Sequence, residues 1–164
     1  MDRSIKLLLV LVFGFFLASA VRANAGLLEV EILGGKTESQ KRVWWKSRLQ
    51  EPAQKWSGRS LGEVTVRVLE EMKRQVRIDF QATAQGVSRI GNLGSDLEVI
   101  SDTRMKAYGW CVRVKRDNIW EYPEVMPDAF LLTEDLTAME WFYAYAEFDA
   151  EKGGWFRQCV PSHL

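Results

Sequence analysis

Residues 27–35 read LLEVEILGG, so apolar and acidic side chains alternate until two glycines interrupt the pattern. A period of two is typical of a strand with one buried face, and the glycine pair predicts a turn directly after it. Residues 42–49, which read RVWWKSRL, predict the returning strand. The folded part of the chain therefore opens with two strands joined by a turn.

An amphipathic helix is predicted next, from about Ser60 to about Gln75. It starts with Ser60-Leu61-Gly62-Glu63, a capping-box sequence in which a hydroxyl and a carboxylate satisfy free amides of the first helical turn. Apolar residues then recur at helical spacing, at Leu61, Val64, Val68 and Met72. One face of this helix should be buried against the strands.

Three further strands are predicted, at residues 76–80, 107–114 and 138–148, from alternating or aromatic-rich sequence. Pro123 and Pro127 place the segment between them in a long loop. One helix among several strands makes the fold class α+β. No internal repeat or second domain is visible, so residues 26–164 are predicted to form a single domain.

The amino terminus has the three parts of a cleavable secretory signal peptide, predicted over residues 1–25. A basic end with Arg3 and Lys6 precedes an apolar run, and Ala23-Asn24-Ala25 supplies the small residues that signal peptidase accepts. An uncleaved membrane anchor is the alternative, but the apolar run is short for spanning a bilayer. We expect a periplasmic or secreted protein with no membrane contact after cleavage.

The charge balance argues against two classes of partner. The chain has 22 basic and 22 acidic residues, and removing the signal peptide leaves it close to neutral. Nucleic acids and anionic membrane surfaces both require a basic field. We therefore expect neither as a main partner.

The two cysteines, Cys111 and Cys159, both lie in the predicted exported part. An even number of cysteines in an oxidising compartment predicts a disulfide between them. A free nucleophilic thiol is the alternative, although the only histidine available to activate it, His163, is one residue from the end of the sequence.

The second half of the chain resembles the transcobalamin-like C-terminal domain family, which is common in exported bacterial proteins. The similarity spans roughly residues 28–145, and three segments carry it. These are Tyr108-Gly109-Trp110-Cys111-Val112-Arg113-Val114, Phe130-Leu131-Leu132-Thr133 and Met139-Glu140-Trp141-Phe142-Tyr143. They are similar to the family's Gly-Trp strand, its Tyr-x-Leu segment and its final I-x-W-x-Y strand.

This resemblance implies a β-grasp-like mixed sheet packed on one main helix, which agrees with the order strand, turn, strand, helix, strands. It also implies a corrinoid as a possible ligand, because the family's vitamin carriers bind cobalamin with the help of a second, helical domain. Lys115-Arg116 and Leu136-Thr137 replace turn-forming pairs of the family. The corresponding turns should therefore be built differently here.

The sequence offers few groups for catalysis. With one histidine and two widely separated cysteines, neither a Ser-His-Asp triad nor a metal site has its usual set of residues, so no catalytic or metal-ligating residue is predicted. Glu134 and Asp135 are the acids nearest the aromatic segment. Since acids are ordinary in turns, we expect a protein that is not an enzyme.

Aromatic residues are the best candidates for a binding site, and five are predicted to face a ligand: Trp110, Trp120, Tyr122, Trp141 and Tyr143. Their rings could stack on a flat ligand. Trp141 and Tyr143 could equally be core residues, because alternate residues of a strand share a face and one face must be buried. Trp120 and Tyr122 are predicted to lie in a loop that ends at Pro123, next to Arg116 and Asp117, where aromatic side chains are more often functional.

Two functions remain open from the sequence. The chain could be an exported, non-enzymatic binding domain for a small molecule, such as a corrinoid or another flat ligand. The alternative is a protein-interaction or structural component of the cell envelope, in which an exposed sheet edge pairs with another protein.

Overall fold

The computed structural model describes residues 28–35, 42–49 and 55–162, and in the second strand it describes the side chains of Trp45 and Lys46 only. The predicted signal peptide and His163 lie outside the described residues. Within the described part, no helix has both the length and the apolar composition needed to cross a membrane.

The described chain is mixed α+β, with ten strands and one main helix. In chain order, the elements are β1 (Leu28–Gly34), β2 (Arg42–Leu49), α1 (Leu61–Val76), β3 (Phe80–Thr83), β4 (Gly86–Ile90), β5 (Leu93–Gly94), β6 (Asp96–Ser101), β7 (Arg104–Arg116), β8 (Ile119–Glu121), β9 (Leu136–Asp149), a 3₁₀ turn (Ala150–Lys152) and β10 (Gly154–Pro161). The fold class expected from the sequence is confirmed at this level.

Seven strands form one large sheet: five follow the order β2-β1-β9-β7-β6, while β10 pairs with β9 and β8 pairs with β7. Its centre is a parallel pair, in which Glu29 to Leu33 of β1 lie beside Ala138 to Phe142 of β9. The pairs β1–β2, β9–β7 and β7–β6 are antiparallel. The hairpin of the first two strands therefore joins the sheet through the last part of the chain.

Two strands share one edge of β9. Its first half pairs with β1 and its second half pairs with β10 in antiparallel fashion. The two neighbours meet at Ser162, whose hydroxyl donates to the carbonyl oxygen of Gly35 at 2.6 Å and whose amide donates to the carbonyl oxygen of Tyr143 at 3.1 Å. This junction makes the edge continuous along β9.

The helix α1 begins as the sequence predicts. The amide of Glu63 donates to the Ser60 hydroxyl at 3.1 Å, and the Ser60 amide donates to the Glu63 carboxylate at 3.4 Å, which completes the capping box. The buried face of α1 packs on one face of the large sheet. This core contains residues from the helix and from four strands, including Leu61, Val68, Met72, Leu28, Ile32, Trp45, Val114, Met139 and Trp141.

A small sheet in the order β3-β4-β5 packs on another part of this face, at Trp110 and Tyr143. It lies so close to the start of α1 that a Cβ atom added to Gly62 would be 1.7 Å from the carbonyl oxygen of Ala84. The strand predicted at residues 76–80 is wrong, because α1 continues to Val76 and Arg77 ends it in the left-handed conformation at φ 57°. Ile78 and Phe80 still pack against the core, which explains the alternation.

The other predicted strands are confirmed. Residues 28–33 and 42–49 form β1 and β2, residues 107–114 lie within β7, and residues 138–148 lie within β9. Strands β3 to β6, β8 and β10 are additions that the sequence did not reveal.

Candidate functional site

The large sheet has two faces with different surroundings. We call the face that packs on α1 the helix face; Trp141 belongs to it, since its indole nitrogen donates to the Thr65 hydroxyl of the helix at 2.9 Å. The opposite face, which carries Ala107, Gly109, Cys111 and Ala144, is called the back face. The assignment follows from the strand pairing, because successive side chains alternate between the faces.

Three of the aromatic residues predicted to bind a ligand lie on the helix face. Trp141 is 2% exposed and Tyr143 is 0% exposed. The Tyr143 hydroxyl donates to the carbonyl oxygen of Gly94 at 2.6 Å, and the Trp110 indole donates to that of Leu93 at 3.0 Å. The small sheet therefore satisfies the polar atoms of Trp110 and Tyr143, and Trp141 and Tyr143 present no surface to a ligand.

The other two predicted residues lie on the back face, but Trp120 is not in a loop. It lies on the short strand β8, opposite Lys115, and Tyr122 follows that strand. The guanidinium of Arg113 lies 4.6 Å from the centre of the Trp120 ring and 5.5 Å from that of Phe142. Both predicted residues are thus separated by the sheet from Trp141 and Tyr143.

A buried ion pair anchors this part of the back face. The Nε atom of Arg113 donates to Oε1 of Glu140 at 2.7 Å, and the Glu140 side chain is 7% exposed. The Tyr122 ring meets Phe142 edge-on, with the ring centres 6.2 Å apart. Within this group, Arg113 pairs with Glu140 and lies over the Trp120 ring, and Tyr122 packs against Phe142. These contacts hold the side chains in place.

The predicted disulfide between Cys111 and Cys159 is confirmed, with Cα atoms 5.7 Å apart. Cys111 belongs to β7 and Cys159 to β10, and both strands pair with β9. The bridge therefore crosses β9 on the back face, where it packs against Leu33, Phe142 and Ala144.

A groove of about 390 Å³ adjoins this disulfide on the back face. Its floor consists of small residues on the paired strands β7 and β9, and Trp155 and Gln158 of β10 form a wall. Trp155 is 48% exposed, and its ring packs edge-on against Phe148. The complete lining is Ala107, Tyr108, Gly109, Trp110, Cys111, Ala144, Tyr145, Ala146, Trp155, Gln158 and Cys159.

Gly109 is unusual among these residues because the folded chain does not require a glycine there. Its φ is not in the left-handed region, and a Cβ atom added to it would meet nothing within 4 Å. A glycine inside a strand weakens the strand, and it often marks a place where another molecule approaches the backbone closely. Gly109 therefore forms part of the groove floor, and the space above it belongs to the groove.

The groove lining contains no Asp, Glu, Lys or Arg side chain. The Tyr108 side chain belongs to the helix face, where burial, together with the carboxylate of Glu98, raises the pKa of its hydroxyl above its ordinary value. Its hydroxyl donates to Glu98 at 2.6 Å. The arrangement suits an uncharged ligand, because no charge in the lining would offset the desolvation of an ion.

A second, polar pocket of about 250 Å³ lies at the other end of the back face, beside Trp120 and Lys115. Its acidic residues Glu29 and Glu31 both contact the ammonium group of Lys46 on β2. The two carboxylates of the pocket are therefore paired with a base of the protein.

Asp135, one of the acids considered for catalysis, lies in the exposed turn before β9. A hydrogen bond from the Thr133 side chain, with the Arg116 charge, lowers the pKa of its carboxyl group. Nε of Arg116 lies 3.0 Å from the carboxylate. No group of three or more potential metal ligands occurs among the described residues.

The wall and most of the floor of the groove are not apparent from the sequence. Trp155 lies on β10, which was not predicted, and Ala107, Ala144 and Ala146 carry no chemical signal of their own. Gly109 within a predicted strand was the one available clue.

The chain matches no protein-family model, no curated protein and no solved structure at a significant level.

Proposed function

We propose that the chain is an exported, non-enzymatic binding domain of the β-grasp type, and that the groove on its back face holds one flat, uncharged ring system. The ring would lie on the small residues of β7 and β9, with one edge against Trp155. The observation that carries this proposal is Gly109, whose missing side chain leaves the floor open although the chain's own packing does not need the space.

The sheet order supports the β-grasp assignment. A hairpin of two strands, one helix, and a later strand that pairs in parallel with the first are the features of such a sheet, and β1, β2, α1 and β9 follow that order. The resemblance of residues 28–145 to the transcobalamin-like C-terminal domain family supports it independently. Gly109 belongs to the Gly-Trp strand on which that resemblance rests.

The size of the groove limits how much of a ligand it can hold. Ligand pockets usually measure about 300–1,000 Å³, and the groove, at about 390 Å³, is near the lower end of this range. A single ring system fits this volume. A corrinoid, which is much larger, would lie across the groove with most of its surface outside, and a second domain or protein would have to cover the rest.

Export is proposed from the first 25 residues and from the disulfide, since disulfides persist mainly in oxidising compartments. The mass of the intact protein recovered from periplasm or medium tests this, with loss of residues 1–25 as the expected result. A cytoplasmic protein with its first residues retained would contradict it.

The ligand proposal can be tested by calorimetric titration with riboflavin and with cyanocobalamin, two compounds that carry a flat ring system. We expect saturable binding of at least one of them. Gly109→Val should weaken it by about tenfold or more, because the branched side chain fills the floor. Trp155→Ala should weaken it by about threefold to tenfold, the usual contribution of one aromatic contact.

Val125→Ala is the matched control, since Val125 is 51% exposed and does not line the groove. It should leave the affinity unchanged. The absence of saturable binding by both compounds, or binding that Gly109→Val leaves intact, would contradict the proposal. The Gly109 variant should fold, because no atom lies within 4 Å of the added Cβ position.

A further inference from the structure

Strand β6 forms one edge of the large sheet and is exposed along its whole length. Each residue from Asp96 to Ser101 is exposed, including three large apolar ones, Leu97 at 56%, Val99 at 69% and Ile100 at 45%. On one side β6 pairs with β7, and no strand of the described chain pairs with its other side. The edge therefore presents its backbone to solvent beside apolar side chains, with the Leu97 amide donating to the Asp96 carboxylate at 3.0 Å.

This edge has few of the features with which proteins usually prevent unwanted strand pairing. Such edges are commonly very short, contain Lys or Pro, or are twisted away by a bulge. Residues 96–101 read DLEVIS and contain neither Lys nor Pro. The register shift occurs near the end of the strand, between Val99 and Ser101, so that Asp96 to Val99 pair regularly with β7.

The charge of the edge indicates what kind of strand could pair with it. Asp96, Glu98 and Asp102 are acidic, and residues 92–103 include no basic residue. The nearest base on the adjacent strand, Lys106, lies with its ammonium group over the Tyr145 ring at 4.6 Å. Antiparallel pairing of β6 with its own copy would place the acids of two strands side by side, and like charges in such positions destabilise a sheet.

The side chains of β6 also divide between the two faces. Leu97 lies opposite Ala107 of the groove floor, and Val99 lies opposite Met105, so both belong to the back face. Glu98 belongs to the helix face, where it accepts the hydrogen bond of Tyr108. A strand added at this edge would thus meet apolar side chains on one face and acidic ones on the other.

We propose that β6 is a docking edge for another polypeptide, which adds as an extended segment in which apolar residues alternate with Lys or Arg. Main-chain hydrogen bonds supply part of the affinity, as in other strand additions. Leu97 and Val99 contact the partner's apolar residues, and Glu98 faces its basic ones. This surface is separate from the ligand groove, although the back face connects the two.

The experiment uses a synthetic peptide of alternating Lys and Val, titrated against the protein and followed by amide hydrogen exchange. Binding should slow exchange at amides of residues 96–101. A peptide with Glu in place of Lys should bind about tenfold or more weakly, because it opposes the acids of β6. Of two N-methylated versions, on Val or on Lys, at least one should lose binding, since it lacks the donors that face β6.

Val99→Lys and Val125→Lys form a matched pair, because both positions are exposed and both changes add one positive charge. Val99→Lys should weaken peptide binding by about tenfold or more, whereas Val125→Lys should leave it unchanged. Equal effects of the two substitutions would mean attraction by net charge alone and would overturn the proposal. So would the absence of exchange protection in β6, or self-association that Val99→Lys abolishes, which would make a second copy the occupant.

The Gly109→Val variant distinguishes peptide binding at the β6 edge from ligand binding in the groove. The substitution should weaken binding of the ring compounds by about tenfold or more and leave peptide binding intact. Peptide binding that Gly109→Val abolishes would overturn the assignment to the β6 edge.

Discussion

Removal of the Cys111–Cys159 disulfide should produce the largest stability change among the perturbations considered for this protein. The bridge closes a loop with a sequence separation of 48 residues. On the chain-entropy relation, a loop of that length restricts the unfolded chain enough to stabilise the folded state by about 4 kcal/mol at 25 °C. For a domain of this size, that change corresponds to a fall in Tm on the order of 10–15 °C.

The double variant Cys111→Ala/Cys159→Ala can be compared with the oxidised protein by urea denaturation. We expect the free energy of unfolding to fall by about 4 kcal/mol, with a further small loss because the sulfurs pack against Leu33, Phe142 and Ala144. The slope m should rise, since an unfolded chain without the bridge is more expanded.

Reduction, urea denaturation and thiol counting test whether the disulfide stabilises the protein in this way. Adding dithiothreitol should reproduce the loss in the wild-type protein and have no effect on the double variant. A loss below about 1 kcal/mol, or an unchanged m, would show that the bridge does not act through the unfolded chain. Two free thiols in the unreduced protein would show that the bridge is absent.

Three further outcomes follow from other parts of the fold. Gly62→Ala should cost about 1–3 kcal/mol by urea denaturation, because its Cβ would collide with the β3–β4 turn, whereas Gly109→Ala, which meets open space, should cost far less. Arg113→Met should cost about 3 kcal/mol, since it leaves the Glu140 carboxylate buried without its partner, and a loss below about 1 kcal/mol would contradict this. The folded protein holds Tyr108 neutral by raising its pKa from 10.0, so that its contribution to stability is complete below pH 10 and is lost as the pH rises through the raised pKa. Unfolding measured from pH 8 upwards should therefore show a steeper decline above pH 10 for the wild type than for Tyr108→Phe, and identical curves would refute it.

The parts of the fold that the sequence predicts are those with a strong local signal. The capping box located the start of α1 to within one residue, since the contacts that define it lie within four residues of chain. Alternation in residues 28–33 and the dense apolar sequence of β9 identified two central strands. In each case, one face of the element is buried, and burial imposes the pattern.

The remaining strands lack such a pattern for physical reasons. All residues of β6 are exposed, so neither face selects for apolar side chains. In β10, Trp155 and Phe156 are adjacent and the register with β9 shifts twice, so no period of two develops. These strands form as hairpins with the adjacent strands β7 and β9, and this backbone pairing leaves no period in their own side chains.

For the predicted binding residues, the sequence shows which ones share a face of a strand but not which face is buried. The spacing of Trp141 and Tyr143 shows that they share a face, but only the position of α1 and the small sheet decides that this face is buried. Trp120 lies on the other side of the sheet, next to Arg113. The groove itself combines small residues of two strands with Trp155 of a third, so it exists only after the sheet has assembled.

The shared edge of β9 also governs when the protein can complete its fold. Because Glu29 pairs with Ala138, β9 can join β1 only after most of the chain has been synthesised. Such distant pairing slows folding, since the entropy of closing long loops must be overcome first. We propose that this protein is exported through the translocon. Slow folding would then keep the chain unfolded while it crosses the membrane, and the sheet and the disulfide would form after translocation.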